Sequence, residues 1–274
     1  MTEPVPVYSI AKLFTAVAVL VDPVIGVDDS IGSHADVPDA LAHLRVGDLL
    51  RHRSGLGDYF GWADYRAQVA ARAPAWPDDL VLERAAAQPL DSPGGFRYSN
   101  IGYLMLRHAL EQRTGQSLLE VLVDRVLGSL GVSSARPFER VGDWAGVRAS
   151  RVPDVTAYDP RWVYPGTFVA DPDEVATGLA ALVGGALGAA VPDLLRRSTL
   201  ALAAPGHPFR EPGYGYGVMS DGVPPTVLGH GGGGPGFTLF ALARADGSAA
   251  HVEVVADEVD DRPLVAACLQ ALAA

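Results

Sequence analysis

The stretch Tyr8-Ser9-Ile10-Ala11-Lys12 decides how this chain of 274 residues is interpreted, because Lys12 is its only lysine. The other 20 cations among the 21 lysine and arginine residues are all arginine. Lys12 stands at the head of an apolar run, residues 13–21, that predicts a buried helix. Residues three apart share one helix face, so we expect Ser9 and Lys12 to lie side by side.

This pair of residue types fits nucleophilic catalysis. A lysine desolvated by apolar neighbours loses its preference for the charged form and can accept a proton, whereas arginine cannot. A base of this kind activates a serine hydroxyl. The alternative is a helix-capping serine followed by a surface lysine, because short motifs such as S-x-x-K often match by accident.

Composition excludes several classes of function. The chain is 49% apolar and 19% charged, which describes a globular protein of one or two domains. Its formal charge of −11 argues against binding nucleic acid or anionic lipid, so a small-molecule or short peptide substrate is expected. Cys268 is the only cysteine, so no intrachain disulfide or cysteine-based zinc site can form, and no metal or cofactor is expected.

The order of predicted elements indicates an α+β protein. Residues 13–21 are too short to span a bilayer and no signal sequence precedes them, so we expect a cytoplasmic protein. We divide the chain into a mainly helical part, residues 1–213, and a sheet with a C-terminal helix, residues 214–274, which together form one catalytic domain. Helical spacing predicts helices at residues 46–52, 62–73, 78–88, 100–114, 117–127, 172–183, 192–203 and 260–274. Short connections predict antiparallel strands at residues 213–219, 226–230, 237–244 and 250–256.

A second stretch with chemical potential is Phe96-Arg97-Tyr98-Ser99-Asn100, between a Pro-Gly-Gly turn and a helix. Tyr98 offers a phenol that can transfer protons, and Asn100 offers both a donor and an acceptor. We expect both side chains to point from a loop into a cleft. The alternative is a half-buried tyrosine beside an asparagine helix cap.

The third stretch, residues 228–237, contains His230 and a run of glycines between two strands. Glycine removes side chains from a strand edge, so a substrate or an oxyanion can approach the peptide N–H groups. A phosphate-binding loop would need a following Gly-Lys-Ser/Thr, and a lipase-type oxyanion loop would need a G-x-S-x-G elbow, and the sequence has neither. A flexible hairpin remains the structural alternative.

With S-x-x-K, Y-x-N and His-x-Gly in this order, the chain resembles the serine β-lactamase and penicillin-binding protein superfamily, particularly its class C-like esterase and D-peptidase branch. Residues 49–56 and Gly215-Tyr216-Gly217 add to the likeness, which covers most of the chain. The resemblance implies an α+β fold, with an antiparallel sheet flanked by helices beside an all-helical lobe. The active site would lie between them.

The resemblance also assigns roles to the first two motifs. Ser9 would be the acylated nucleophile, and Lys12 would act with Tyr98 as a proton-relay pair. Asn100 would hold both Lys12 and the substrate amide. These roles describe a serine hydrolase or acyltransferase that works through an acyl-enzyme on an ester, amide or D-peptide.

In the third motif, the resemblance places His230 at the first position of the K-T-G motif and Gly232 at the third. The backbone N–H groups of Ser9 and Gly233 would form the oxyanion hole. Because histidine replaces lysine, the fixed positive charge that binds a β-lactam carboxylate is weakened, and the charge of His230 is expected to change near neutral pH. The remaining alternatives are a true β-lactamase and a catalytically silent binding protein.

The chain departs from the superfamily before Ser9, where relatives carry several dozen residues that supply a helix and the first strands. The sheet is therefore expected to be depleted on its N-terminal side. An open sheet edge presents unpaired N–H and C=O groups. We expect a second copy or a separate protein to close it, or local side chains and a bulge to protect it.

Overall fold

The computed structural model describes residues 2–273 and has the predicted α+β architecture, with antiparallel sheets and several helices. Its helices are α1 Ala11–Leu20, α2 Asp39–Ala42, α3 Val46–Leu50, α4 Ala63–Ala70, α5 Asp78–Ala86, α6 Asn100–Thr114, α7 Leu118–Leu122, α8 Pro172–Val183, α9 Ala190–Arg197 and α10 Arg262–Ala273. Its strands are β1 Val5–Pro6, β2 Arg136–Pro137, β3 Phe168–Ala170, β4 Leu200–Ala201, β5 Pro212–Tyr214, β6 Met219–Asp221, β7 Val227–Gly234, β8 Phe237–Arg244 and β9 Ala250–Val255.

Within residues 2–273 the main sheet has six antiparallel strands in the order β4-β5-β6-β7-β8-β9. Its neighbours are consecutive in the chain, as short connections require. Strand β7 pairs with β8 over its whole length, with His230 opposite Ala241 and Gly233 opposite Thr238. The glycine-rich end of β7 is therefore held at a fixed register.

Strand β8 is buried on both faces because a helix covers each one. Its odd-numbered residues, such as Leu239 and Ala241, join the large core, and α8 packs against β8 and β9. Its even-numbered residues, Phe240 and Leu242, join a second cluster with α10. Side chains alternate between the faces of a strand, so a continuous apolar run on β8 requires this arrangement.

Helix α1 lies at the centre of the helical part, and its residues from Ala11 to Val19 are all buried. It packs against α6 and α7. A helix that is apolar all round has to be buried on every side. A 3₁₀ turn, Tyr8–Ile10, leads into it, so the N-terminal end of α1 is carried to the end of β7.

The structure corrects several boundaries. Residues 213–219 were expected to form one strand but form the β5–β6 hairpin, where Gly217 has a φ of +68° and lies against α1. Helix α9 ends at Arg197, and Leu200–Ala201 form a strand instead of continuing the helix. The sheet therefore begins before the expected boundary between residues 213 and 214, although the division of the chain there stays a prediction.

The residues before Ser9 add no strand to the main sheet. Strand β1 instead pairs with β3, in a smaller sheet that has the order β1-β3-β2 in the described part of the chain and that the sequence did not predict. The outer edge of β9 has no hydrogen-bonded neighbour among residues 2–273. Closure of this edge by a second copy or another protein stays a prediction. None of the helices formed by residues 2–273 has the length and apolar character needed to cross a membrane.

Candidate active site

Ser9 and Lys12 meet as their spacing predicts, because the 3₁₀ turn that carries Ser9 runs directly into α1. Lys12 Nζ donates a hydrogen bond to Ser9 Oγ over 2.8 Å. Tyr8, immediately before the serine, has a φ of +46°, a left-handed conformation that is uncommon for a bulky residue. Its hydroxyl donates to the carbonyl of Pro235 over 2.5 Å, so the turn between β7 and β8 fixes the conformation that presents Ser9.

Lys12 is only 1% exposed, and its burial controls its protonation. Desolvation lowers the pKa of Lys12 from 10.5 to about 7, against the opposing attraction of the Asp58 carboxylate. Near neutral pH a large share of the Lys12 side chain is therefore neutral. A neutral amine in hydrogen-bond contact with Ser9 Oγ can accept its proton.

Tyr98 completes the polar cluster around Ser9. Its half-buried ring lies with its centroid 5.2 Å from Lys12 Nζ. Burial raises the pKa of the Tyr98 hydroxyl, although the neighbouring Ser9 hydroxyl acts in the opposite direction. The phenol stays protonated near neutral pH, so it can donate a proton as well as pass one on.

Asn100 begins α6 and is 3% exposed. Its backbone N–H donates to the Asp58 carboxylate, while its side-chain Nδ2 is buried and has no hydrogen-bond partner among the described residues. The hydrogen bond expected between Asn100 and Lys12 is not formed in the described chain, where Lys12 Nζ bonds to Ser9 Oγ. The Asn100 side chain nevertheless faces the Asp58 carboxylate and helps to hold down the pKa of Asp58, which burial raises.

The glycines of β7 are required by the close approach of the nucleophile turn. A Cβ at Gly232 would lie 2.5 Å from the carbonyl oxygen of Val7, and one at Gly234 would lie 2.4 Å from the Tyr8 ring. A Cβ at Gly233 would meet nothing within 4 Å. Gly232 and Gly234 therefore serve the packing, whereas Gly233 faces open space beside Ser9.

His230 lies at the end of a hydrogen-bonded chain that the sequence did not reveal. The Ser99 N–H donates to His52 Nδ1 over 3.1 Å, so the hydrogen of His52 is on Nε2, which contacts the Tyr214 hydroxyl over 3.1 Å. The Tyr214 hydroxyl then donates to His230 Nε2 over 2.9 Å, and His230 Nδ1 donates to the Gly231 carbonyl over 2.6 Å. Every donor in this chain has one acceptor.

With these donors and acceptors, the imidazoles of His52 and His230 are both neutral. Burial, together with the nearby Lys12, lowers the pKa of His230 to about 3 and also lowers the pKa of His52. The expectation that the charge of His230 changes near neutral pH is therefore wrong. The reason is that His230 is 1% exposed and its two nitrogens already have partners that suit the neutral ring.

Two cavities open on either side of Ser9. The first, here called the carboxylate compartment, has a volume of about 650 Å³ and is lined by Tyr98, His230, Gly231, Gly232, Met219, Thr238, Val259, Glu258, Asp260 and Asp261. The second, the aromatic compartment, has a volume of about 360 Å³ and is lined by Asn100, Tyr59, Phe60, Tyr65, Tyr158, Trp162, Val163, Val69, Ala70, Arg66 and Arg72. Both are lined by Ser9, Gly233, Gly234, Pro235 and Glu258.

The structure thus brings the three sequence motifs to one cleft. Sequence reasoning missed Asp58, His52, Tyr214 and Glu258 as members of the site. The resemblance of segment 49–56 to the superfamily is a weak signal for His52. The pairing of His52 with Tyr214 has no such signal, because these residues are far apart in the chain. Chemically, the cleft offers a hydroxyl with an adjacent base, a second proton-transfer group and an amide side chain, which is the set needed for acyl transfer.

Comparison with known proteins agrees with this architecture. The Beta-lactamase family model matches residues 2–267, so the chain belongs to the beta-lactamase family. Over 181 residues, the chain is 29% identical to a D-aminopeptidase of Brucella anthropi, a match that covers 60% of this chain and 29% of the relative. The chain therefore spans less than a third of the length of that curated relative.

Solved structures share the fold. A D-stereospecific amidohydrolase from Streptomyces sp. superposes with a TM-score of 0.79 and 22% identity, covering 97% of this chain and 86% of the other. A D-amino acid amidase from Ochrobactrum anthropi SV3 also gives a TM-score of 0.79, with 20% identity, covering 99% of this chain and 88% of the other. At these identities the likeness concerns the fold.

Proposed function

We propose that this protein is a serine hydrolase or acyltransferase that forms an acyl-enzyme on Ser9 and acts on an amide, ester or short D-peptide. The observation that carries the proposal is the 2.8 Å contact between Ser9 Oγ and the buried amine of Lys12. A lysine whose pKa is about 7 can act as a base near neutral pH. Among the described residues, Ser9 has the only hydroxyl group that is hydrogen-bonded to Lys12 Nζ.

In this mechanism each motif has a role. Ser9 Oγ attacks the substrate carbonyl carbon while its proton moves to Lys12, and the bond to the leaving group breaks as Tyr98 donates its proton to that group and recovers one from Lys12. Asn100 Nδ2 donates to a carbonyl oxygen on the acyl side of the substrate. Water, or an amine in the case of transfer, then attacks the ester of Ser9 and releases the acyl group.

The oxyanion that forms during each attack needs donors. We assign this role to the backbone N–H groups of Ser9 and Gly233, because Gly233 faces the open space beside Ser9. Loss of one such donor typically costs about a hundredfold or more in rate. The names of the relatives, a D-aminopeptidase, a D-stereospecific amidohydrolase and a D-amino acid amidase, favour amides of D-configured residues as the first substrates to test.

A true β-lactamase is a weaker candidate, because His230 is neutral and gives no fixed charge to a β-lactam carboxylate. A catalytically silent binding protein is the other alternative. It would keep the cavity without forming an acyl-enzyme.

The test is covalent labelling followed by turnover. Wild-type protein should gain the mass of one fluorophosphonate adduct, located at Ser9 by peptide mapping, and Ser9→Ala should gain none. Ser33→Ala, an exposed serine outside the cleft, is the matched control and should label like wild type. Assays on D-amino acid amides, their L-counterparts, aryl esters and nitrocefin would then rank substrates. Absence of labelling at Ser9, with no turnover of any of these substrates, would favour the binding protein.

A further inference from the structure

The two compartments beside Ser9 differ in charge. The carboxylate compartment is lined by Glu258, Asp260 and Asp261, and none of its lining residues is a lysine or an arginine. Its one histidine, His230, is neutral. The aromatic compartment has instead Arg66 and Arg72 among its aromatic rings. Glu258 lines both compartments, so the difference in charge rests on Asp260 and Asp261 in one and on Arg66 and Arg72 in the other.

Two of the three carboxylates form no ion pair among the described residues. Asp260 forms an ion pair with Arg262, and this arginine also interacts with Asp261 from beyond ion-pair distance. Glu258 accepts only a 3.3 Å hydrogen bond from the Gly236 N–H, and Asp261 Oδ2 lies 3.5 Å from the position of a Cβ on Gly231, beside the third motif. In the described part of the chain, neither Glu258 nor Asp261 lies within ion-pair distance of a cation.

The proton-transfer groups show which side receives the leaving group. Tyr98 lines the carboxylate compartment and not the aromatic one. Since the group that donates a proton to the leaving group has to reach it, the leaving group lies on the Tyr98 side of Ser9. Asn100 lines the aromatic compartment, where Glu258 also reaches, and this compartment is then left for the acyl side of the substrate.

We propose that the carboxylate compartment is a leaving-group subsite for cations, in which Glu258 and Asp261 select amides or esters whose leaving group carries an ammonium. The aromatic compartment then holds an apolar or aromatic acyl group. This inference rests on the proposed acyl-enzyme function and names the substrate class of the same site.

The neutral chain through Tyr214 supports the same selection. A lysine in place of His230 would repel a cation, and a protonated histidine would do so too. Because His230 donates Nδ1–H to a carbonyl and accepts from Tyr214 at Nε2, it stays neutral and leaves the carboxylates as the dominant charges of this compartment. A leaving group with a carboxylate would instead be repelled by Glu258 and Asp261.

The experiment compares three phenylacetyl thioesters that differ in the charge of the leaving thiol. One carries thiocholine, the second its tert-butyl analogue in which carbon replaces the ammonium nitrogen, and the third mercaptopropionate. Hydrolysis is followed by the release of free thiol. Wild type should prefer the thiocholine ester over its neutral analogue by about tenfold in kcat/KM, and this preference should shrink in high salt because the carboxylates are partly exposed.

The variants isolate the two carboxylates. In the double variant Glu258→Gln and Asp261→Asn, the cationic and neutral esters should be hydrolysed within about twofold of each other, since the amides keep the shape and lose the charge. Glu83→Gln, an exposed carboxylate on α5, is the matched control and should keep the wild-type preference.

The outcomes separate the two proposals. Hydrolysis that depends on Ser9 but is indifferent to the charge of the thiol would overturn the subsite and leave the acyl-enzyme function intact. A cationic preference that survives in the double variant would also overturn the assignment to Glu258 and Asp261. No hydrolysis of any thioester above that of Ser9→Ala would overturn the subsite alone if the protein turns over D-amino acid amides or aryl esters, and would overturn the proposed function as well if it turns over none of these.

Discussion

Replacing Lys12 by methionine should abolish turnover and at the same time stabilise the fold. Burial lowers the pKa of Lys12 from 10.5 to about 7, so below neutral pH the folded protein has to keep an ammonium group that is 1% exposed. The difference of about 3.5 between the two pKa values corresponds to about 5 kcal/mol. Methionine has a similar length and no charge, so the variant avoids most of this cost.

The effect has a defined pH dependence. Because the pKa of Lys12 is lower in the folded state than in the unfolded state, the unfolded chain binds more protons between about pH 7 and 10.5. The stability of wild type therefore rises with pH across this window. The methionine variant lacks this titrating group, so its stability does not show this rise. The difference in free energy of unfolding should be about 4 kcal/mol near pH 6 and should vanish near pH 10.5.

Urea unfolding at several pH values, followed by tryptophan fluorescence, measures this difference. Ser9→Ala is the control, because it removes the nucleophile and keeps the buried ammonium, so it should be inactive and still follow the pH dependence of wild type. In parallel, kcat/KM of wild type should rise with pH through about 7, as Lys12 loses its proton. A stability difference that does not change with pH would refute the reasoning.

Four further predictions test other parts of the structure. Tyr98→Phe should lower kcat by orders of magnitude with little change in Tm, and a fall in Tm with normal activity per folded molecule would make Tyr98 structural. Nitrocefin hydrolysis should stay weak from about pH 5 to about pH 9, because His230 stays neutral, so efficient hydrolysis in this range would contradict its assignment. Gly232→Ala should cost about 1–3 kcal/mol in urea unfolding through its clash with Val7, whereas equal stability of Gly232→Ala and Gly233→Ala would show that the clash is relieved. The free edge of β9 should pair with a second copy, and sedimentation that shows only monomer would count against this.

The parts of the site that the sequence predicts are those carried by local spacing. Ser9 and Lys12 are three residues apart on one turn, so their contact follows from helix geometry. The glycines of β7 likewise predict that another group approaches the backbone of this strand closely. Only the structure identifies Val7 and Tyr8 as the residues that do so.

The parts that the sequence could not predict depend on long-range pairing. The neutral state of His230 results from Tyr214 and, beyond it, from His52, which is 162 residues away from Tyr214 in the chain. No periodicity encodes such a contact, so an unperturbed histidine was the only available expectation. The β5–β6 hairpin was missed for a related reason, because the left-handed φ of Gly217 lies inside a run with strand-like composition.

Tyr8 joins the turn that carries Ser9 to the β7–β8 hairpin. Its ring lies against Gly234, its hydroxyl bonds to Pro235, and its backbone sets the turn that presents Ser9. The β7–β8 hairpin therefore cannot shift without altering the direction of the Ser9 hydroxyl. Opening of this hairpin and displacement of Ser9 are therefore coupled, so covalent labelling at Ser9 would report the integrity of the β7–β8 pairing.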